Sequence, residues 1–162
     1  MTPTPRRAHN RSMELSSPEF TDGGEMPWSM SAANENRFPP LNIDGVPPGT
    51  RSLALALEDL NSPVGGLTHW LGWNLPPDTG HLDALTWPPH AVVGMSDFGK
   101  VGYLGPIPPQ GRHTYRFVLF ALDAELDLPE GATRRAFDEA IDGHVIATAE
   151  LEGSIERTPE GD

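Results

Sequence analysis

Gly102-Tyr103-Leu104-Gly105-Pro106-Ile107-Pro108-Pro109-Gln110-Gly111-Arg112-His113-Thr114-Tyr115-Arg116-Phe117 is the stretch on which the reading of this chain turns. Gly105 to Gly111 reads as a stiff loop, because proline fixes φ and removes N–H donors while glycine permits positive φ and close backbone approach. His113-x-Tyr115 follows and leads into a strand-like run from Tyr115 to Leu122. A spacing of two puts both side chains on one face of a strand. A rigid turn can in this way hold two hydrogen-bonding groups beside a pocket. The same residues also fit a plain proline-rich turn with a half-buried His and Tyr, and on these residues alone the plainer reading is preferred.

Outward from this stretch, the chain has 162 residues, enough for one domain with a real core. Its 18 prolines and 17 glycines mark many turns and argue against helical repeats or a coiled coil. A formal net charge of −12 argues against nonspecific nucleic-acid binding and against docking on an anionic membrane. A local anion site remains compatible with it, since backbone N–H groups and one or two histidines can build one inside an acidic protein. With no cysteine, disulfides, cysteine catalysis and thiolate zinc sites are excluded. No apolar stretch is long enough to span a bilayer. Arg6, Arg7 and Arg11 precede no apolar core, so a secretory signal is not expected and a cytoplasmic location is.

Residues 1–12 read as a disordered tail, 13–157 as one domain and 158–162 as a short C-terminal tail. Ser17 to Glu25 reads as a strand or extended piece ending at Gly23-Gly24. Pro39 to Ile43 reads as extended. In Arg51 to Glu58, Leu53, Leu55 and Leu57 alternate with Ala54 and Ala56. Both faces are apolar, one large and one small, as in a central strand buried on both sides. Thr68 to Leu75 returns as a strand; strict alternation puts His69, Leu71, Trp73 and Leu75 on one face, with Trp70 and Asn74 on the other. Val92-Val93 fits a short strand. Thr133 is the expected N-cap of a helix over Arg134 to Ile141, whose two arginines sit at the unfavourable end of the helix dipole, so packing must hold it. Gly143 is the expected stop. A second short helix or turn is placed at Val145, with a strand over Ala149 to Ile155. The fold class is mainly β.

Four groups can converge: Asp59 after one buried strand, His69 on the next, and His113 and Tyr115 beside the rigid loop. An imidazolium with loop N–H groups suits a phosphate or carboxylate. A two-histidine, one-carboxylate metal site uses the same residue types, and spacing does not choose between them. His81 and His90 lack the close spacing of a metal pair and are given no role. No Gly-x-Ser-x-Gly, His-Glu-x-x-His or Gly-x-x-x-x-Gly-Lys motif is present, so nothing signals nucleophilic or metallohydrolase chemistry. The Ser62-Pro63 bond is singled out as a candidate for the cis form.

The order of motifs resembles the phosphatidylethanolamine-binding protein family, in its bacterial Raf-kinase-inhibitor-like branch, over about residues 13–157. The resemblance runs through Ser17-Pro18-Glu19-Phe20-x-Asp22-Gly23-Gly24, Glu35-Asn36, Pro39-Pro40-Leu41 and Gly45-Val46-Pro47-x-Gly49-Thr50. It continues in Ser52-Leu53-Ala54-Leu55, His69-Trp70, Asn74-Leu75-Pro76 and Asp97-Phe98-Gly99-Lys100-x-Gly102-Tyr103. Gly105-Pro106-Ile107-Pro108-Pro109, His113-x-Tyr115, Ala121-Leu122-Asp123 and Gly143-His144-Val145 complete it.

This resemblance implies two antiparallel sheets with short C-terminal helices and a small pocket for phosphate, phosphoryl headgroups or carboxylates. It assigns the pocket to Asp59, His69, Gly105, Pro106, Pro108, Pro109, His113 and Tyr115. It implies a non-enzymatic binding protein without cofactor or metal, or alternatively a regulatory protein acting on a kinase or protease partner. Self-association as a homodimer is also implied. The family's Asp-Pro-Asp-x-Pro is Asp59-Leu60-Asn61-Ser62-Pro63 here, and its His-Arg-Tyr is His113-Thr114-Tyr115. The arginine is lost from the face opposite His113 and Tyr115, where support of the loop is affected before the pocket floor.

Overall fold

A computed structural model describes residues 12–62, 66–107 and 111–157. Pro63, Pro108 and Pro109 lie outside the described residues, and with them the Ser62-Pro63 bond. The tails expected over 1–12 and 158–162 also lie outside, apart from Ser12.

Two sheets enclose the main core. The smaller joins β1 (Glu14–Ser16), β3 (Leu41–Asp44) and β6 (His81–Leu82) in the order β1-β3-β6, all antiparallel. The larger joins β2 (Gly24–Glu25), β4 (Ser52–Asp59), β5 (Leu67–Leu75), β7 (Val92–Val93), β8 (Gly111–Leu122) and β9 (Val145–Arg157) in the order β2-β9-β8-β4-β5-β7. Its pairs are antiparallel except β2 with β9, which run parallel at Gly24–Gly153. Leu15, Leu41, Ile43 and Leu82 of the small sheet pack with Leu53, Leu55, Leu57, Phe117, Leu119 and Leu151 of the large one.

β4 is central, and every residue of it is buried. Its leucines enter the core between the sheets, while Ala54 and Ala56 face a second core with Trp73, Phe120 and Phe137. The small residues leave room there for α1 (Arg134–Ile141), which buries Phe137 and Ile141. Thr133 caps α1, its hydroxyl accepting the Ala136 N–H at 3.3 Å. The misplaced Arg134 is explained by the sheet beneath it. Its guanidinium reaches the nearly buried Glu58 carboxylate at 2.8 Å, Thr68 Oγ1 at 3.1 Å and Asp138 at 2.8 Å. Glu58 also receives Arg116 at 3.1 Å, so a charge that would be costly alone is paired twice.

Three local expectations change. Residues 18–20 bend, and between 16 and 24 there is no strand. A turn over 142–144 leads directly into β9, so α1 is the one α-helix among the described residues, joined by a single 3-10 turn at Trp28–Met30. β9 is a strand from Val145 because it pairs along the whole of β8. Third, β5 does not alternate strictly. Leu57 pairs with Trp70 and Glu58 with Thr68, which leaves His69 as an extra residue in a bulge. Leu71 and Trp73 stay on the helix side, but His69 turns to the face of Trp70 and packs on Tyr115. A second irregularity at Asn74, with φ +61°, carries Leu75 to that face as well.

Candidate functional site

Asp59 ends β4 opposite Tyr115 of β8, so His113 stands one side-chain step beyond the end of β4 on the same face. From there its Nδ1–H donates to Asp59, 3.2 Å from Oδ1 and 3.1 Å from Oδ2. Asp59 is 5% exposed. Its Oδ1 also accepts the Asn61 N–H at 2.8 Å, an Asx turn that fixes the carboxylate. Asn61 Oδ1 in turn accepts the Thr114 N–H at 2.6 Å, and the Leu60 N–H bonds the Thr114 carbonyl at 2.9 Å. The amide at position 61 thus supplies the acceptor oxygen that ties the loop after β4 to β8. Thr114 Oγ1 points to the other face, 3.4 Å from Ser154 Oγ of β9.

Four rings form a row across the site. His113 stacks on Tyr115 at 6.3 Å, Tyr115 meets His69 edge-on at 5.3 Å, and His69 meets Phe98 edge-on at 4.9 Å. Tyr115 and His69 are buried, whereas Phe98 is half exposed. Phe98 is carried by a turn fastened to β5, where Asp97 Oδ2 accepts the Thr68 N–H at 2.7 Å.

His69 Nδ1–H donates to the Gly105 carbonyl at 2.9 Å. Burial pushes the imidazole below its ordinary value of 6.5, opposed by the Gly105 bond and the Asp59 charge. Tyr115 is pushed well above the ordinary phenol value, first by burial and then by the Asp59 charge. It stays a phenol, and its oxygen accepts the Ile107 N–H at 3.2 Å.

Residues 103–107 are pinned from behind by a segment whose role sequence reading missed. Asn36 Oδ1 accepts the Gly105 N–H at 2.7 Å, and its amide donates to the Tyr103 carbonyl at 3.2 Å. The Pro106 carbonyl accepts from Ser31 Oγ at 2.8 Å and from the Ala32 N–H at 2.9 Å. A Cβ at position 105 would lie 2.1 Å from the Met30 carbonyl oxygen, so only glycine fits this approach. Asn36 stood in the Glu35-Asn36 piece of the resemblance, and in the structure it adopts the left-handed region at φ +54°, which asparagine tolerates better than most residues. Nothing marked Ser31, whereas Asn61 and Phe98 stood in pieces of the family resemblance without a role of their own.

Asp59, His69, Gly105, Pro106, His113 and Tyr115 thus come together around one end of the large sheet. Gly105 and Pro106 serve as supports, since the Gly105 and Ile107 N–H groups are already engaged inside the protein. Each imidazole carries its proton on Nδ1, by the carbonyl on one side and the carboxylate on the other. Among the described residues neither Nε2 takes a hydrogen-bond partner, and each is a lone pair when the ring is neutral and an N–H when it is protonated. Among the described residues no group of three His, Asp or Glu side chains is arranged to hold a metal ion, so the alternative metal site is not assembled there. No helix among them is long and apolar enough to cross a membrane.

Comparison with known proteins agrees with this architecture. A UPF0098 protein of Methanothermobacter thermautotrophicus is 43% identical over 150 residues, covering 90% of this chain and 99% of that protein. The crystal structure of a phosphatidylethanolamine-binding protein homologue of Chlamydia trachomatis superposes with a TM-score of 0.84 at 38% identity. That match covers 90% of this chain and 98% of the other. Escherichia coli YbcL, a member of the mammalian PEBP family, superposes with a TM-score of 0.83 at 28% identity, covering 90% and 99%. A sequence model of the family described as phosphatidylethanolamine-binding protein matches residues 16–156, and the chain belongs to that family.

Proposed function

We propose that this chain is a non-enzymatic binding protein whose site takes a small anion: phosphate, a phosphoryl headgroup or a carboxylate. The supporting observation is the pair of fixed imidazoles on one row of rings, His113 held by Asp59 and His69 held by Gly105. With both Nδ1 protons engaged, each protonated ring has Nε2–H left for a ligand, and Tyr115 keeps a phenolic proton. Neutral rings would turn lone pairs toward the anion, so binding takes up a proton or uses a hydroxyl carried by the ligand. Affinity is therefore weak at neutral pH and rises on acidification.

Calorimetric titration with phosphate, phosphorylethanolamine and acetate, at pH values above and below the histidine range, tests this. Saturable heat that grows at the lower pH and disappears in His113→Ala is the expected result. Heat that is independent of pH, or retained in His113→Ala, would overturn the role given to the histidines. Absence of binding by all three would favour a protein partner, such as a kinase or protease, as what the site recognises.

A further inference from the structure

Trp70, next to His69 in β5, borders a second space. A cavity of about 250 Å3 has Phe38, Trp70, Trp87, Tyr103, Asp83 and Val93 in its lining, and none of the described residues assigned to the anion site lines it. Phe38 meets Trp70 at 5.1 Å and Tyr103 at 5.1 Å. Trp70 meets Trp87 at 5.6 Å and Tyr103 at 5.9 Å, every pair edge to face. Rings packed this way stand at steep angles to one another, so aromatic side chains wall the cavity from several directions instead of lying in one flat stack. Gly72 makes the room: a Cβ there would lie 2.7 Å from Trp87 Cη2, so the indole rests against bare backbone.

Asp83 supplies the one charged side chain of this lining among the described residues. Its own turn fixes it. Oδ1 accepts the Leu85 N–H at 2.9 Å, Oδ2 contacts His81 Nε2 at 3.0 Å, and Thr86 Oγ1 accepts the Asp83 N–H at 3.0 Å. The Leu85 and His81 bonds also hold the carboxyl below its ordinary range, so the group stays ionised.

We propose that this cavity binds a quaternary or alkylated ammonium group, caged by the faces of Phe38, Trp70, Trp87 and Tyr103, with Asp83 as its counter-charge. A cation over aromatic faces within about 6 Å of their centroids is attracted by the ring quadrupole, and more so when desolvated. An alkylated ammonium suits this lining better than a primary one, because it has few N–H donors to satisfy and the walls offer few acceptors. The chain's net charge of −12 raises the local concentration of cations and not of anions.

The test is a tryptophan-fluorescence titration with choline and with 3,3-dimethyl-1-butanol, its neutral isostere, at constant ionic strength. A saturable response to choline at least about tenfold tighter than to the isostere, about 1.4 kcal/mol, is expected. Saturating phosphate should leave it unchanged. Asp83→Asn keeps the Oδ1 acceptor for Leu85, so the turn persists; it should lower choline affinity several-fold without altering the isostere. Trp87→Leu, with unfolding followed to show that the fold is kept, should abolish the response. No saturable response up to about 100 mM choline, where a millimolar Kd would be seen, would overturn the proposal. So would equal binding of the isostere, or a choline preference that is undiminished in Asp83→Asn.

Discussion

The His69 imidazole is 1% exposed and gives its Nδ1 proton to a backbone carbonyl, so burial favours the neutral ring. A histidine whose folded pKa lies below its unfolded one contributes stability that is present above the ordinary value of 6.5 and is lost as pH falls through the folded value. The free protein is therefore expected to melt at lower temperature below that pH, with His69→Gln flattening this part of the profile. Added phosphate should reverse the sign for the complex, because an anion on the protonated ring returns the energy of charging it. Thermal unfolding across about pH 5 to 8, with and without phosphate, reads both trends. Gly105→Ala forces a methyl group against the Met30 carbonyl and should cost at least about 1–3 kcal/mol in denaturant unfolding. Asn61→Ala removes the acceptor for the Thr114 N–H and should cost about 1 kcal/mol, while Asn61→Asp keeps the acceptor and should be tolerated. At this scale the pairing of His113 with Tyr115 was legible, because spacing two on a regular strand fixes a shared face. The orientation of His69 was not: its face depends on one extra residue relative to β4, and a bulge leaves no mark in the alternation of β5 itself.

Among the elements, β4 announced itself through large leucines alternating with alanines, and α1 through its cap and apolar stripe. What the sequence could not show is why α1 tolerates Arg134 in its first turn. The answer lies 76 positions earlier, in Glu58 on the sheet face beneath. Arg134→Met should loosen the docking of α1, costing about 1–3 kcal/mol, with Arg116 still partnering the buried carboxylate. Hydrogen exchange over residues 134–141 should rise in that variant while β4 and β8 remain protected. β9 was ambiguous for a related reason. Its identity as a strand comes from register with β8, and its parallel edge with β2 from a pairing no local pattern encodes.

Taken as a whole, the molecule assembles the candidate site from the end of β4, the bulge of β5, the start of β8 and a loop pinned by Ser31 and Asn36. The Ser31 hydroxyl and the Pro106 carbonyl meet across 75 positions. Such separations explain why spacing alone left anion and metal chemistry open, whereas the order of motifs along the chain pointed to the family and to these residues together. In the proposed function His69 and His113 form one anion site through their Nε2 atoms. Long-range proton–nitrogen NMR of the imidazole rings, recorded while phosphate is added on the acid side of the histidine range, tests it most directly. Both free rings should carry the proton on Nδ1 when neutral, and both Nε2 signals should shift together and saturate with phosphate, with His113→Ala abolishing the shift at His69. Ring signals that stay in place at high millimolar phosphate, or protons found on Nε2 in the neutral rings, would contradict it.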